Sequence, residues 1–438
     1  MQNGSLRWLE ILICVASFAL VTILSDHFQA RITYQDGQGW DGAYYYKMAE
    51  QAANGEAIHV ESPYVYRLGL PVVAAMLNKH DLLSGFKEAN LAANVLLLAL
   101  FMIWVSMFVS DWRIRCLLTL LFLTQWLGPF RFISFYPATV DNTQYVFLLL
   151  GLIGLHVARR REVIGTIGVS LVVFIGVFFR ETVALLGFAM LFVGNPLRFT
   201  GLTRNLAEGR LASIWRMPKA LHFVPLIAAV CALVCTHLVA QRIDDGYSFL
   251  RTVVHWVYDK PLLTYVYAVF IVFGPAIALV LFNWRRSWAF LETNQAFLVF
   301  IAGACALAYV GGHDTERYLY MTLPVIYIMI GQAIADNRAV LRSKPLIVLL
   351  CATQLISQRI FWTIPDYPND YRTPLPVLTV LSSKFQYLDL FSVHSTRRIG
   401  AVAVAEYVLL TAVLLLWLNH RARRVPGLAA SPGIPAGS

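Results

Sequence analysis

Residues 8–25 read WLEILICVASFALVTILS. Only Glu10 carries a formal charge, and the run approaches the roughly 20 mostly apolar residues that a bilayer core requires. No small-residue cleavage site of the A-x-A kind follows it, so it reads as a retained helix and not a signal peptide. Comparable runs recur outward along the chain, near 88–110, 115–134, 141–158, 163–179, 182–195, 221–240, 262–282, 290–309, 319–335, 345–363 and 399–418. Composition agrees: 58% of the 438 residues are hydrophobic and 14% charged, with a mean hydropathy of +0.62. Soluble domains carry about a quarter charged residues. The expectation is an all-α, polytopic membrane helix bundle of about twelve transmembrane helices.

A shorter run, LGLPVVAAML, decides the topology. Residues 68–78 are too few to span and contain Pro71. They are expected to lie at, or dip into, the interface. With that choice and the N-terminus inside, the segments DWRIR, RRRE, 196–220, NWRRSW, DNRAVLRSK and the tail hold more than half of the 35 Lys and Arg and few of the 25 acids. This is the positive-inside pattern. The formal charge of +10 is then a topology signal, and nucleic-acid binding is not needed to explain it.

The expected organisation is one transmembrane bundle, 1–418. A first outer loop, 26–87, carries interfacial helices over 42–53 and 68–78. Residues 241–261 and 364–398 form two further outer loops. Residues 196–220 form a basic cytoplasmic loop against anionic headgroups, and 419–438 a basic, disordered cytoplasmic tail. The expected location is a bacterial inner membrane, multi-pass, with both termini cytoplasmic. The six cysteines fall in or beside apolar runs without His or carboxylates at ligand spacing, and read as small buried side chains. No metal site is assigned; the scattered acids show no clear ligand set, which leaves a divalent metal open.

Four polar clusters land on the outer face. The first joins Asp36 and, in GWDGAYYYKMAE, Asp41 with Tyr44, Tyr45, Tyr46, Tyr66 and Arg67. The second is Asp141 in YPATVDNTQY, the third Arg180 to Thr182 in FFRETVA, and the fourth His313 to Tyr320 in GGHDTERYLY. Each has a plain structural reading. Asp141 suits a helix N-terminus, Arg180 and Glu181 suit an ion pair between helix ends, HDTER suits a solvated loop, and the tyrosines suit an interfacial belt. Together they suggest more, because ionisable groups at membrane depth are costly and tend to face cavities. Arginine presents a planar fork matched to phosphate oxygens. A carboxylate accepts a proton from an attacking hydroxyl, and aromatic faces suit a sugar or an isoprenoid. Cytoplasmic nucleotide sugars do not reach an outer face, so the consistent donor is carried on a lipid phosphate.

The ordered set GWDGAYYYKMA, YVYRLGLP, an Asp-led helix start, RET and a late Asp/Arg/Tyr motif resembles the polytopic GT-C superfamily of glycosyltransferases, over about residues 8–335. The resemblance implies a multi-helix bundle, interfacial helices in the first outer loop and a polyprenyl-phosphate-sugar donor. The acceptor is a lipid, glycan or protein, reached among membrane lipids and without nucleic acid. It also implies a first-loop acid, here Asp41, as catalytic base, with Asp36 a weaker second, and a late arginine, here Arg317, on the donor phosphate. Candidate donor- or substrate-binding residues are Tyr45, Arg67, Asp141, Arg180, Glu181, His313, Asp314, Arg317 and Tyr318. The sequence departs from members that hold a tight acidic pair in the first loop, since Asp36 and Asp41 stand five apart. Two other functions fit a polytopic chain. One is a transporter of a small molecule or lipid-linked glycan, favoured by Glu406 within the last helix. The other is a lipid-linked glycan polymerase or ligase.

Overall fold

The computed structural model describes residues 7–125, 128–197, 217–243, 246–312, 315–358, 363, 364, 366 and 397–424. Most of 196–220, most of 364–398 and the tail beyond Arg424 lie outside the described residues.

The architecture is a predominantly helical membrane bundle. Among the described residues six helices are long and apolar enough to cross a membrane: Trp8–Phe28, Leu82–Ser106, Glu162–Phe179, Ala220–Val239, Leu262–Phe282 and Gly400–Arg424. A seventh crossing results if Trp284–Thr293 and Gln295–Val310, bent by 106°, count as one span. The polytopic helix bundle expected from the sequence is what forms; among the described residues, length and composition alone do not give the figure of about twelve spans. Several apolar runs are broken. The run 115–134 divides into Trp112–Leu123 and Pro129–Phe135, because Pro129 has no N–H to continue a helix but suits the first turn of a new one. Leu262–Phe273 gives way at Gly274 and Pro275 to a short turn before Ile277–Phe282. The last helix continues through Arg424, past the boundary expected at 418.

The first loop folds as a unit against the bundle end. The helices Gly42–Asn54 and Gly69–Leu77 occupy the two places expected for short interfacial helices. The strand His59–Glu61 pairs in parallel with Gln241–Ile243, Val60 opposite Arg242, and so joins the first loop to the segment before Phe249–Asp259. Gln29 Nε2 donates to the Ile364 carbonyl over 2.8 Å, and the Ile364 N–H returns a 2.6 Å bond to Gln29 Oε1. Thr33 Oγ1 donates to Asp366 Oδ2 over 2.6 Å. Segments far apart in sequence are thereby gathered at one end of the bundle.

The same end receives the first residue of Asp141–Ala158 and the turn after Glu162–Phe179. These two helices run antiparallel, so Asp141 and Arg180 arrive together while Ala158 and Glu162 turn at the far end. Exposed Val163, Ile164, Ile167, Leu171 and Ile175 mark the lipid-facing side of one of them.

Candidate active site

The GWDG stretch is shaped by Tyr136. Gly39 has φ +79°, and a Cβ there would stand 2.3 Å from Tyr136 Cε2. A Cβ on Gly42 would meet the same atom at 2.8 Å. The Gly42 N–H donates to Tyr136 Oη over 2.5 Å, and the Trp40 ring sits edge-on to the Tyr136 ring at 5.3 Å. Only glycine allows this approach and, at Gly39, this backbone. The chain is thus pressed onto one buried tyrosine on both sides of Asp41.

Asp41 occupies the cap position of Gly42–Asn54 but its side chain makes no capping hydrogen bond. Its backbone carbonyl serves the helix instead, accepting from Tyr44 N at 3.1 Å. Asp41 Oδ2 lies 3.8 Å from Arg317 Nη1, and its side chain keeps 26% of its surface exposed. Asp41 and Glu181, whose side chain is 35% exposed, are the partly accessible carboxylates beside buried arginines.

Asp141 forms the centre of that cluster. It is 4% exposed. Arg317 Nε donates to its Oδ2 over 2.5 Å, Arg180 Nη1 pairs with its Oδ1, and Thr139 Oγ1 donates to Oδ2 at 3.3 Å. Two guanidinium groups therefore share one carboxylate. Arg180 also lies over the Tyr318 ring, 5.5 Å from its centroid. The Arg317 carbonyl accepts from Tyr145 Oη at 3.1 Å, and Tyr318 Oη donates to the Gly311 carbonyl at 3.1 Å. These bonds hold the Thr315–Tyr320 helix against the neighbouring spans.

Arg67 leads a second buried group. Its Nε and Nη2 donate to Glu181 Oε2 and Oε1 at 2.9 and 2.6 Å, and Nη1 donates to Tyr45 Oη at 2.6 Å. Glu181 thus pairs with Arg67 and not, as adjacency suggested, with Arg180, whose carboxylate is Asp141. Burial works against charge on Glu181, but Arg67 outweighs it and draws the carboxyl down to about 2. Tyr64 closes this side, stacked on Tyr44 at 4.3 Å and edge-on to Tyr45. Gln144 Nε2 donates to Thr182 Oγ1 over 2.7 Å and ties Asp141–Ala158 to the turn Glu181–Ala184 beside the cluster.

The structure brings Asp41, Tyr45, Arg67, Asp141, Arg180, Glu181, Arg317 and Tyr318 to one bundle end. Asp36 is exposed on a tight turn with φ +55°, which gives it no part in the buried cluster. His313 and Asp314 lie outside the described residues. Among the described residues no group of three or more His, Cys, Asp or Glu could hold a metal ion. Sequence reasoning missed Tyr136, Gln144 and Lys260. Lys260 is 3% exposed, and its ammonium donates to the Ala308 and Gly312 carbonyls and to Thr315 Oγ1, at 2.9, 2.6 and 3.0 Å. The signal available for it was a lysine directly before Pro261 at the start of an apolar run.

No protein-family model matches the chain, and no curated protein matches it. Among solved structures the chain is similar to the crystal structure of ArnT from Cupriavidus metallidurans bound to undecaprenyl phosphate. The identity is 15% and the TM-score 0.48, over 94% of this chain and 77% of that one.

The arrangement defines what chemistry fits. Buried guanidinium groups that share one carboxylate leave donor capacity for a second anion, and arginine forks match phosphate oxygens. A carboxylate that is partly exposed beside them can take a proton.

Proposed function

We propose that the protein is an integral membrane glycosyltransferase of the GT-C kind, moving a sugar from a polyprenyl-phosphate donor to an acceptor hydroxyl on the extracytoplasmic face. One observation carries the reading. Asp41, unused in capping its helix, stands 3.8 Å from an arginine that already shares Asp141 with Arg180. A proton acceptor and an anion-binding pair are thus within one substrate's reach of each other.

In this reading the donor phosphate binds Arg317 and Arg180, and the sugar lies towards Asp41. At 3.8 Å the contact between Asp41 and Arg317 is an ion pair too long for a hydrogen bond. A phosphate that engages Arg317 weakens that attraction and leaves Asp41 a better base. Asp41 removes the acceptor's hydroxyl proton as that oxygen bonds to the anomeric carbon. The carbon–oxygen bond to the phosphate breaks, and the lipid phosphate leaves with the electron pair, its charge held by the two guanidinium groups. A single displacement inverts the anomeric configuration. Both termini are cytoplasmic in this arrangement, which puts the Asp41 end outside, and the membrane is a bacterial inner membrane.

The test is transfer from labelled polyprenyl-phosphate sugars to membrane-extract acceptors by the purified protein in nanodiscs. Free polyprenyl phosphate should appear with wild-type protein. Asp41→Asn should abolish its release while donor binding persists. Full turnover in Asp41→Asn would remove Asp41 from the chemistry. A well-folded protein that neither binds nor turns over any donor would favour a transporter, whose buried Glu406 in the last helix would then be the next residue to change.

A further inference from the structure

The far end of the bundle holds a second polar site. The helix Asp141–Ala158 has 18 residues, so its ends lie about 27 Å apart at 1.5 Å per residue. At the end away from Asp41, a cleft of about 610 Å³ opens between the Ala158–Glu162 turn, the Val193–Pro196 segment and Met217–His222. That volume falls in the range of small-ligand sites, roughly 300–1,000 Å³.

The charge of the cleft has one sign in excess. Arg159, Arg160 and Lys219 line it, against the single carboxylate of Glu162. Glu162 is already engaged, by Lys219 Nζ at 2.5 Å and by His222 Nε2 at 2.9 Å. Arg159 Nη1 donates to Asn294 Oδ1, and among the described residues no salt bridge to a carboxylate is found for Arg159 or Arg160. The two arginines are sequence neighbours, and burial together with the Arg160 charge pushes the Arg159 guanidinium down. An anion between them would relieve that repulsion.

The surroundings indicate the source of the anion. Two apolar spans start at the cleft, Glu162–Phe179 and Val224–Val239. Near their starts they turn Val163, Ile164, Val224 and Ile227 outward, each more than 40% exposed. Side chains of this kind cover acyl chains and not water. A phosphate in the cleft would have hydrocarbon-facing protein directly beside it.

We infer that this cleft binds the headgroup phosphate of an anionic phospholipid, with Arg159 and Arg160 as its ligands and the acyl chains along the two adjacent spans. The site is separate from the Asp41 cluster and does not depend on the transferase reading. A free phosphate shares the headgroup chemistry, but the apolar flanks favour the lipid.

Native mass spectrometry tests this directly. Full-length protein is equilibrated with equimolar phosphatidylglycerol and phosphatidylcholine in detergent, and the lipid that remains bound is counted. Wild type should retain phosphatidylglycerol in preference. Arg159→Gln/Arg160→Gln should lose that retention by about fivefold per arginine, the scale of one basic residue at an anionic surface. Arg423→Gln/Arg424→Gln, equal in charge but on the last helix, should leave it unchanged. If the double variant at the cleft does not fold, exposed Arg160→Gln alone carries the test. Equal retention of the two lipids, unchanged retention in the cleft variants, or equal loss in the last-helix control would each overturn the proposal. Displacement of the lipid by millimolar inorganic phosphate would also overturn it, showing a free-phosphate site.

Discussion

Arg67 and Glu181 stand 114 residues apart and meet as a two-pronged pair, Nε to Oε2 at 2.9 Å and Nη2 to Oε1 at 2.6 Å. The pair clamps the first loop to the turn after Glu162–Phe179, and Tyr45 takes the third guanidinium bond. Arg67 is 5% exposed, so losing its partner leaves an arginine charge without compensation. Glu181→Gln should destabilise the protein by about 2 kcal/mol, in the range for hydrogen bonds to charged groups. Arg67→Lys should recover little, since one ammonium cannot reproduce a fork. Thermal midpoints in detergent measure both.

The same pair makes a pH prediction. The Glu181 carboxyl is held down, to about 2, after burial has been outweighed by Arg67. A carboxylate with a depressed value contributes stability that is fully present above its unfolded value and lost as pH falls through the folded one. The stability gap between wild type and Glu181→Gln should therefore stay constant from pH 8 to about pH 5 and narrow from there towards about pH 2. Melts across that range show it. A gap that opens or closes near neutrality would mean that a different group controls it.

Two glycines give a steric prediction with an internal control. A Cβ at Gly39 meets Tyr136 at 2.3 Å, while one at Gly55, with φ +72°, meets nothing within 4 Å. Gly55→Ala should cost only the backbone term, about 1 kcal/mol. Gly39→Ala should add an overpacking cost of about 1–3 kcal/mol. Because the clash pushes on the segment that carries Asp41, it should also lower transfer in the polyprenyl phosphate release assay. Gly55→Ala should leave transfer unchanged.

Much of this was legible in the sequence, and the rest was hidden for physical reasons. The short helix Gly69–Leu77 could be placed because its apolar run is too short to span, and Gly42–Asn54 fits the first-loop helices that the family resemblance implies. Hydropathy did not distinguish a crossing from a broken helix. It averages over a window and is blind to the missing N–H of Pro129 or to the 106° bend at Asn294. The candidate polar residues could be chosen, since charge inside an apolar chain is costly and needs a reason. Their pairing could not be read. Arg180 and Glu181 are neighbours, yet extended backbone at Arg180, φ −164° and ψ 131°, sends their side chains to different partners. Tyr136 stayed unremarked because its role lies in the glycine faces that press on it.

Asp141 is shared by Arg180 and Arg317. Asp141→Asn would leave two buried cations facing each other, and removing one partner of a buried charge pair costs about 3–5 kcal/mol. The variant should therefore be among the least stable of the cluster. Added anion should recover part of the loss, because a phosphate analogue can stand where the carboxylate charge was. The check is the thermal midpoint with and without added polyprenyl phosphate. The ligand-induced rise should be larger in Asp141→Asn than in wild type.

Lys260 is bonded to the first residue of the helix that carries the same arginine. Its ammonium gathers the Ala308 carbonyl, the Gly312 carbonyl and Thr315 Oγ1, and so ties the end of Gln295–Val310 to the first residue of Thr315–Tyr320, which carries Arg317. Lys260→Met keeps the length of the side chain but leaves those oxygens without their donor, at about 1–3 kcal/mol for each buried group left unsatisfied. Lys260→Arg supplies donors again in a different shape and should recover part of the stability. The kinetic signature separates placement from stability alone. If Lys260 positions Arg317 for the donor phosphate, Lys260→Met raises the donor KM in protein that is still folded at the assay temperature, and Lys260→Arg returns it partway. If KM stays at the wild-type value while only the melting temperature falls, Lys260 holds the fold together and does not set the donor site.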